Sequence, residues 1–170
     1  LAKLKSSTVG ISGTHGKTTT TSLIGSILKD SNLDPTIIVG GVVKSINTNS
    51  ILGSGDTFVV EADEFNRSFL ELSPTIAVIN NIDLEHIDCY DSLEDLKDAF
   101  IQFANSVPFY GMVSICRDSE NAASIIPLID KPIVTYGIES DNVDFKAINI
   151  IHDNGTVAFD VIHKNKNNSF

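Results

Sequence analysis

Apolar residues fall along this chain in short blocks of two alternating kinds. Thr8-Val9-Gly10-Ile11-Ser12 is a compact apolar run that breaks into glycines, the pattern of a buried strand feeding a turn. From Lys17 to about Asp30 the spacing becomes helical, with Leu23, Ile24, Ile27 and Leu28 predicted on one face. Thr57-Phe58-Val59-Val60-Glu61 reads as a buried strand ending in an acid, and residues 75–80 as another ending in polar residues. Ser92 then opens a helix. Asp95, three residues on, completes a capping-box-like pair, and Leu93, Leu96, Phe100, Phe103, Ala104 and Val107 repeat at helical spacing. A strand at 111–116, a helix from Asp118 to about Ile126 and a strand at 133–136 follow.

Strands alternating with helices predict an α/β fold: a mostly parallel sheet with helices on both faces, in one domain. The end breaks the rhythm. Residues 145–151 and 156–163 flank Asp153-Asn154-Gly155, a turn signal that predicts a β-hairpin near the C-terminus. Residues 164–169 are polar and read as a loop. No internal repeat or low-complexity segment stands out.

Composition narrows the function. A hydrophobic fraction of 42% over 170 residues supports a single packed core. The longest apolar runs, such as Ile37-Ile38-Val39, are too short to span a bilayer, and residues 1–5 lack the apolar stretch of a secretion signal. The chain begins with Leu and its one methionine is Met112, which reads as a piece of a longer protein. A net charge of -10 argues against a general nucleic-acid surface, although local donors and a metal still allow nucleotide binding. Cys89 and Cys116 lack metal-like spacing and read as free thiols of a cytoplasmic protein.

The strongest local signal is Gly10-Ile11-Ser12-Gly13-Thr14-His15-Gly16-Lys17-Thr18-Thr19, set between a strand and a helix. Glycines let backbone N–H groups turn inward around phosphate oxygens, and the following helix aims its N-terminus at the same place. Lys17 adds a full charge and Thr18 a hydroxyl for Mg2+. Gly13, Thr14, His15, Gly16, Lys17, Thr18 and Thr19 are therefore the candidate nucleotide loop. His15 is given no catalytic role. The glycines stand at 10, 13 and 16, so the common phosphate-loop spacing, which wants glycine where Ile11 stands, is not met.

Two strand ends carry acids. Ligands in open α/β sheets lie beyond the carboxyl ends of the strands, which puts Glu61 near the phosphates as a magnesium ligand. Asp63 and Glu64 read equally well as a solvated loop. The next strand leads into Asn80-Asn81-Ile82-Asp83-Leu84-Glu85-His86-Ile87-Asp88, where His86 is a candidate ligand for a second metal.

Together these segments resemble the Mur ligase family, and within it the branch that adds L-alanine to UDP-N-acetylmuramate. The resemblance rests on residues 13–21, on Glu61-Ala62-Asp63-Glu64 with Ser68-Phe69-Leu70, on Asn81-Ile82 with residues 85–90, and on Val107-Pro108-Phe109-Tyr110-Gly111 and Thr135-Tyr136-Gly137. It implies an ATP-dependent ligation through an acyl phosphate in peptidoglycan precursor synthesis. Lys17 would hold the outer phosphates, Thr18 and Glu61 one Mg2+, and His86 a second, with Asn81 near the nucleotide. Lys17, Glu61 and His86 are then the candidate catalytic residues. The family usually has Asp where Glu85 stands, and Arg67 receives no role. The resemblance also implies that the chain is a partial central domain, with UDP-N-acetylmuramate and L-alanine bound largely by absent N- and C-terminal domains, so that the piece alone does not ligate. Three other readings compete: a ligase of the same family that recycles a tripeptide, a GTPase switch for which Asn80-Asn81-Ile82-Asp83 lacks the expected lysine, and a nucleotide-binding module without catalysis.

Overall fold

The computed structural model describes residues 6–43, 48–84 and 89–164. Among the described residues nine strands form one sheet: β1 (Ser7–Ser12), β2 (Thr36–Val43), β3 (Thr48–Ile51), β4 (Thr57–Glu61), β5 (Ile76–Ile79), β6 (Met112–Cys116), β7 (Ile133–Gly137), β8 (Phe145–Asp153) and β9 (Thr156–His163). Their order is β3-β2-β4-β1-β5-β6-β7-β8-β9. Only the outermost pairs, β2–β3 and β8–β9, run antiparallel. The mostly parallel sheet and the C-terminal hairpin are as predicted. Strands β2 and β3 were not predicted. Thr36-Ile37-Ile38-Val39 after Pro35 is a β-branched run that signals a strand.

Side chains alternate across the sheet. Val9, Ile11, Ile37, Val59 and Val78 pack on one face with Ile24 and Leu28 of helix α1 (Lys17–Asp30). Ala77, Ile79, Val113 and Ile115 point to the other face, into a core with helix α2 (Leu93–Asn105) and helix α3 (Glu120–Ile125). Helix α2 begins as predicted: the Ser92 side chain accepts from the N–H of Asp95. Its Phe103 stacks on Phe69 at 5.0 Å, and Phe100 meets the same ring edge-on.

Two expectations are corrected. Helix α1 buries Thr21 and Gly25, while Leu23 and Ile27 of the predicted face are 59% and 63% exposed. The cause is a close approach: a Cβ on Gly25 would lie 2.4 Å from Ile37 Cδ1, so the helix rests on its smallest residue and turns Leu23 and Ile27 outward. Helix α3 starts at Glu120, capped by Ser119, and not at Asp118. The Asp118 carboxylate instead accepts the N–H groups of Ile138, Glu139 and Ser140. Burial alone would raise its carboxyl, but these donors hold it below the ordinary range.

Asp144 ties β7 to β8. Its carboxylate accepts from both the N–H and the hydroxyl of Thr135 at 2.8 Å, while its own N–H reaches the Thr135 hydroxyl at 3.0 Å. The Thr135 donors lower its carboxyl pKa. A depressed folded-state value means stability that is present above the unfolded value of about 3.9 and is lost as pH falls through the folded one. Asp144→Asn is therefore expected to cost about 1 kcal/mol at pH 7, a modest figure because the group is partly solvated. Urea unfolding should show the gap narrowing as pH falls below about 3.9; a gap that keeps its size through that fall would refute the ionic account.

Candidate functional site

The connection leaving β1 runs through α1 to β2 on the β4 side, whereas the one leaving β5 runs through α2 to β6 on the other side, so a crevice opens beyond the carboxyl ends of β1 and β5. The loop between β1 and α1 occupies that crevice. Gly13 and Gly16 have φ of 139° and 78°, values that residues with a side chain rarely adopt. Gly16 caps α1 without any side-chain acceptor, so the first N–H groups of the helix remain directed at the loop.

The end of β5 laces this loop in place. Asn80 N–H donates to Ser12 O, and Thr14 N–H to Asn81 O. The Asn81 side chain accepts from His15 N–H at 2.8 Å and donates to His15 O at 3.1 Å. Thr14 Oγ1 accepts from Asp83 N–H and donates to Asp83 O. Asn81 thus acts on the loop's shape, through the His15 backbone. The His15 ring is more than half exposed, with Nε2 3.9 Å from Asp83 Oδ2. Thr19 lies on the exposed side of the first helical turn. A cleft of about 540 Å3 runs from His15 and Gly16 past Thr20 and Asn80 to Tyr136. Tyr136 donates to Asn80 Oδ1, and Asn80 donates to Thr20, which closes the floor of the cleft. Burial pushes the Tyr136 phenol well above its usual range.

The cationic and acidic groups converge beside the loop. Lys17 Nζ donates to Gly13 O at 2.8 Å and Thr14 O at 3.3 Å, and to both oxygens of Glu64 at 2.9 and 3.1 Å. Thr18 Oγ1 lies 3.0 and 3.1 Å from the two oxygens of Glu61, and Gly40 N–H donates to the same carboxylate at 2.8 Å. Thr18 and Glu61 present only oxygen donors, the set that suits a hard cation such as Mg2+. Among the described residues no cluster of three or more His, Cys, Asp or Glu could hold a metal. Glu85, His86, Ile87 and Asp88 lie outside the described residues.

Glu64 is the residue that sequence reasoning undervalued. Asp63 is 55% exposed, whereas Glu64 is 1% exposed and paired with Lys17. Adjacent acids after a strand carry no sequence signal that separates the buried one from the solvated one. The Glu64 carbonyl accepts from Tyr90 Oη at 2.6 Å and from Arg67 N–H at 2.9 Å. Burial raises the Tyr90 phenol to about 12. Asn66 and Arg67 have φ of 52° and 57°, a strained pair, and the Arg67 guanidinium is pinned by Asp95 and lies 4.9 Å from the Tyr90 ring centre.

Known proteins share this fold. Residues 11–170 match the Mur ligase middle domain. The UDP-N-acetylmuramate–L-alanine ligase of Geotalea daltonii is 50% identical over 151 residues, which is 89% of this chain and 33% of that protein. The chain spans about a third of the length of the curated relatives it matches. Among solved structures, the UDP-N-acetylmuramate–alanine ligase of Thermotoga maritima superposes with a TM-score of 0.79 at 26% identity, over 96% of this chain and 36% of that one. The MurF ligase of the same organism in complex with ADP shares the fold, with a TM-score of 0.71 at 17% identity over 95% and 39%. No helix among the described residues is long and apolar enough to cross a membrane.

Proposed function

The chain belongs to the Mur ligase family, and on that footing we propose that it is the ATP and magnesium centre of an enzyme that joins L-alanine to UDP-N-acetylmuramate. The reaction is a cytoplasmic step of peptidoglycan precursor synthesis. The observation that carries the reading is the convergence of Lys17, Thr18 and Glu61 at the carboxyl ends of β1 and β4. Because the chain spans about a third of its relatives' length, binding of the UDP-sugar and the amino acid is assigned largely to domains outside these 170 residues.

The reaction brings a carboxylate against a triphosphate, two anions that repel each other. The carboxylate oxygen attacks the γ-phosphorus and ADP leaves. The alanine nitrogen then attacks the acyl carbon, phosphate leaves and the nitrogen gives up a proton. This chain contributes positioning and positive field, the main protein terms in phosphoryl transfer. The loop N–H groups and the α1 N-terminus hold the phosphates, and Lys17 neutralises the outer ones. The cleft beside Thr20 and Asn80 receives the nucleoside end. Thr18 and Glu61 would hold Mg2+, which offsets the remaining phosphate charge. His86 is proposed for a second cation on its place in the sequence.

Phosphate release by the full-length protein tests this. With Mg-ATP and UDP-N-acetylmuramate present, release should begin on addition of L-alanine. Release with a tripeptide alone would move the protein to the recycling branch. A folded protein that prefers GTP, or that binds ATP and releases phosphate with neither amine, would defeat the ligase reading.

A further inference from the structure

We infer that Glu64 is the resident counter-ion of Lys17, a positioning residue from which the phosphates of an arriving nucleotide must take the lysine. The inference rests on the nucleotide site proposed above. An ammonium group has three protons to donate. Those of Lys17 already meet Gly13 O, Thr14 O and the Glu64 carboxylate. A phosphate oxygen that reaches Lys17 therefore replaces one of these partners, and Glu64 is the one that carries charge.

The two partners differ in freedom. Glu64 is anchored through its own carbonyl by Tyr90 Oη and Arg67 N–H, and its carboxylate is 1% exposed. Lys17 carries its charge on a flexible four-carbon stem. The lysine moves and the carboxylate stays, so each binding event weakens a buried ion pair. That cost lowers phosphate affinity, and it keeps Lys17 aimed into the loop while the site is free of nucleotide. Asp63, 3.8 Å from the same ammonium but 55% exposed, is a weaker partner because water screens it.

Calorimetric titration of the full-length protein with Mg-ATP, Mg-ADP and adenosine separates this role from a merely structural one. Glu64→Gln keeps the shape and removes the charge. It should bind Mg-ATP and Mg-ADP about tenfold more tightly than the wild type, the worth of one charge-assisted hydrogen bond, and adenosine unchanged. Glu64→Asp retains the charge at shorter reach and should tighten Mg-ATP by about threefold, which provides the test if Glu64→Gln does not fold. A folded variant that binds Mg-ATP no more tightly than the wild type overturns the inference, as does a uniform loss for all three ligands. A wild-type protein that binds no Mg-ATP overturns the nucleotide site itself and this inference with it.

Discussion

Lys17→Met should reduce phosphate release by the full-length protein by a factor on the order of 10^3, the usual effect of removing a group that meets developing charge. It should also destabilise the fold. Glu64 is 1% exposed and both of its carboxylate oxygens face Lys17. Removing one member of a buried pair costs about 3–5 kcal/mol, because the remaining charge is left in a poor solvent. The double change Lys17→Met with Glu64→Gln is then expected to recover most of the lost stability and none of the activity. Chemical unfolding combined with a phosphate-release assay measures both. A Lys17→Met protein as stable as the wild type would mean that the pair adds nothing to the fold.

The second large effect is expected at Phe103. Its ring is fully buried, stacks on Phe69, and belongs to the same core as Ala62, Ile82 and Tyr90, the apolar residues behind both acidic strand ends. Phe103→Ala removes that ring and leaves a cavity, at about 3–5 kcal/mol. For a domain of this size the melting temperature should fall by roughly 10 °C. Mg-ATP affinity should fall as well, since Ile82 of the same core adjoins the Asn81 clamp that shapes the phosphate loop. A melting temperature within about 2 °C of the wild type would show that the core closes over the gap.

Much of this was legible in the sequence, for physical reasons. Strand β4 is continuous in apolar residues because both faces of a parallel sheet are covered, and its boundaries follow. Helix α2 shows a clear period because one side meets the core and the other meets water. Helix α1 was placed correctly, with Ile24 and Leu28 on the core as expected, but Leu23 and Ile27 face outward, because apolar spacing alone cannot register that Gly25 lets Ile37 come close. The candidate phosphate loop was visible because glycines and Gly-Lys-Thr are local chemistry. The Lys17–Glu64 pair and the Asn81 clamp were not, because they join residues 47 and 66 positions apart, and no local pattern encodes such a distance.

The strand order also sets a timetable. Strand β1 carries Val9 and Ile11 at the centre of the sheet, yet its neighbours are β4 and β5, with Ser7 opposite Thr57 and Val9 opposite Ile76. Translation at about 5–20 residues per second leaves β1 outside the ribosome for several seconds before either neighbour emerges. During that interval β2 can form its antiparallel pair with β3, but the phosphate loop has no wall to rest on. On the proposed reading the nascent chain therefore cannot bind nucleotide until β5 has emerged, and its apolar strand β1 is a natural client for a chaperone until then.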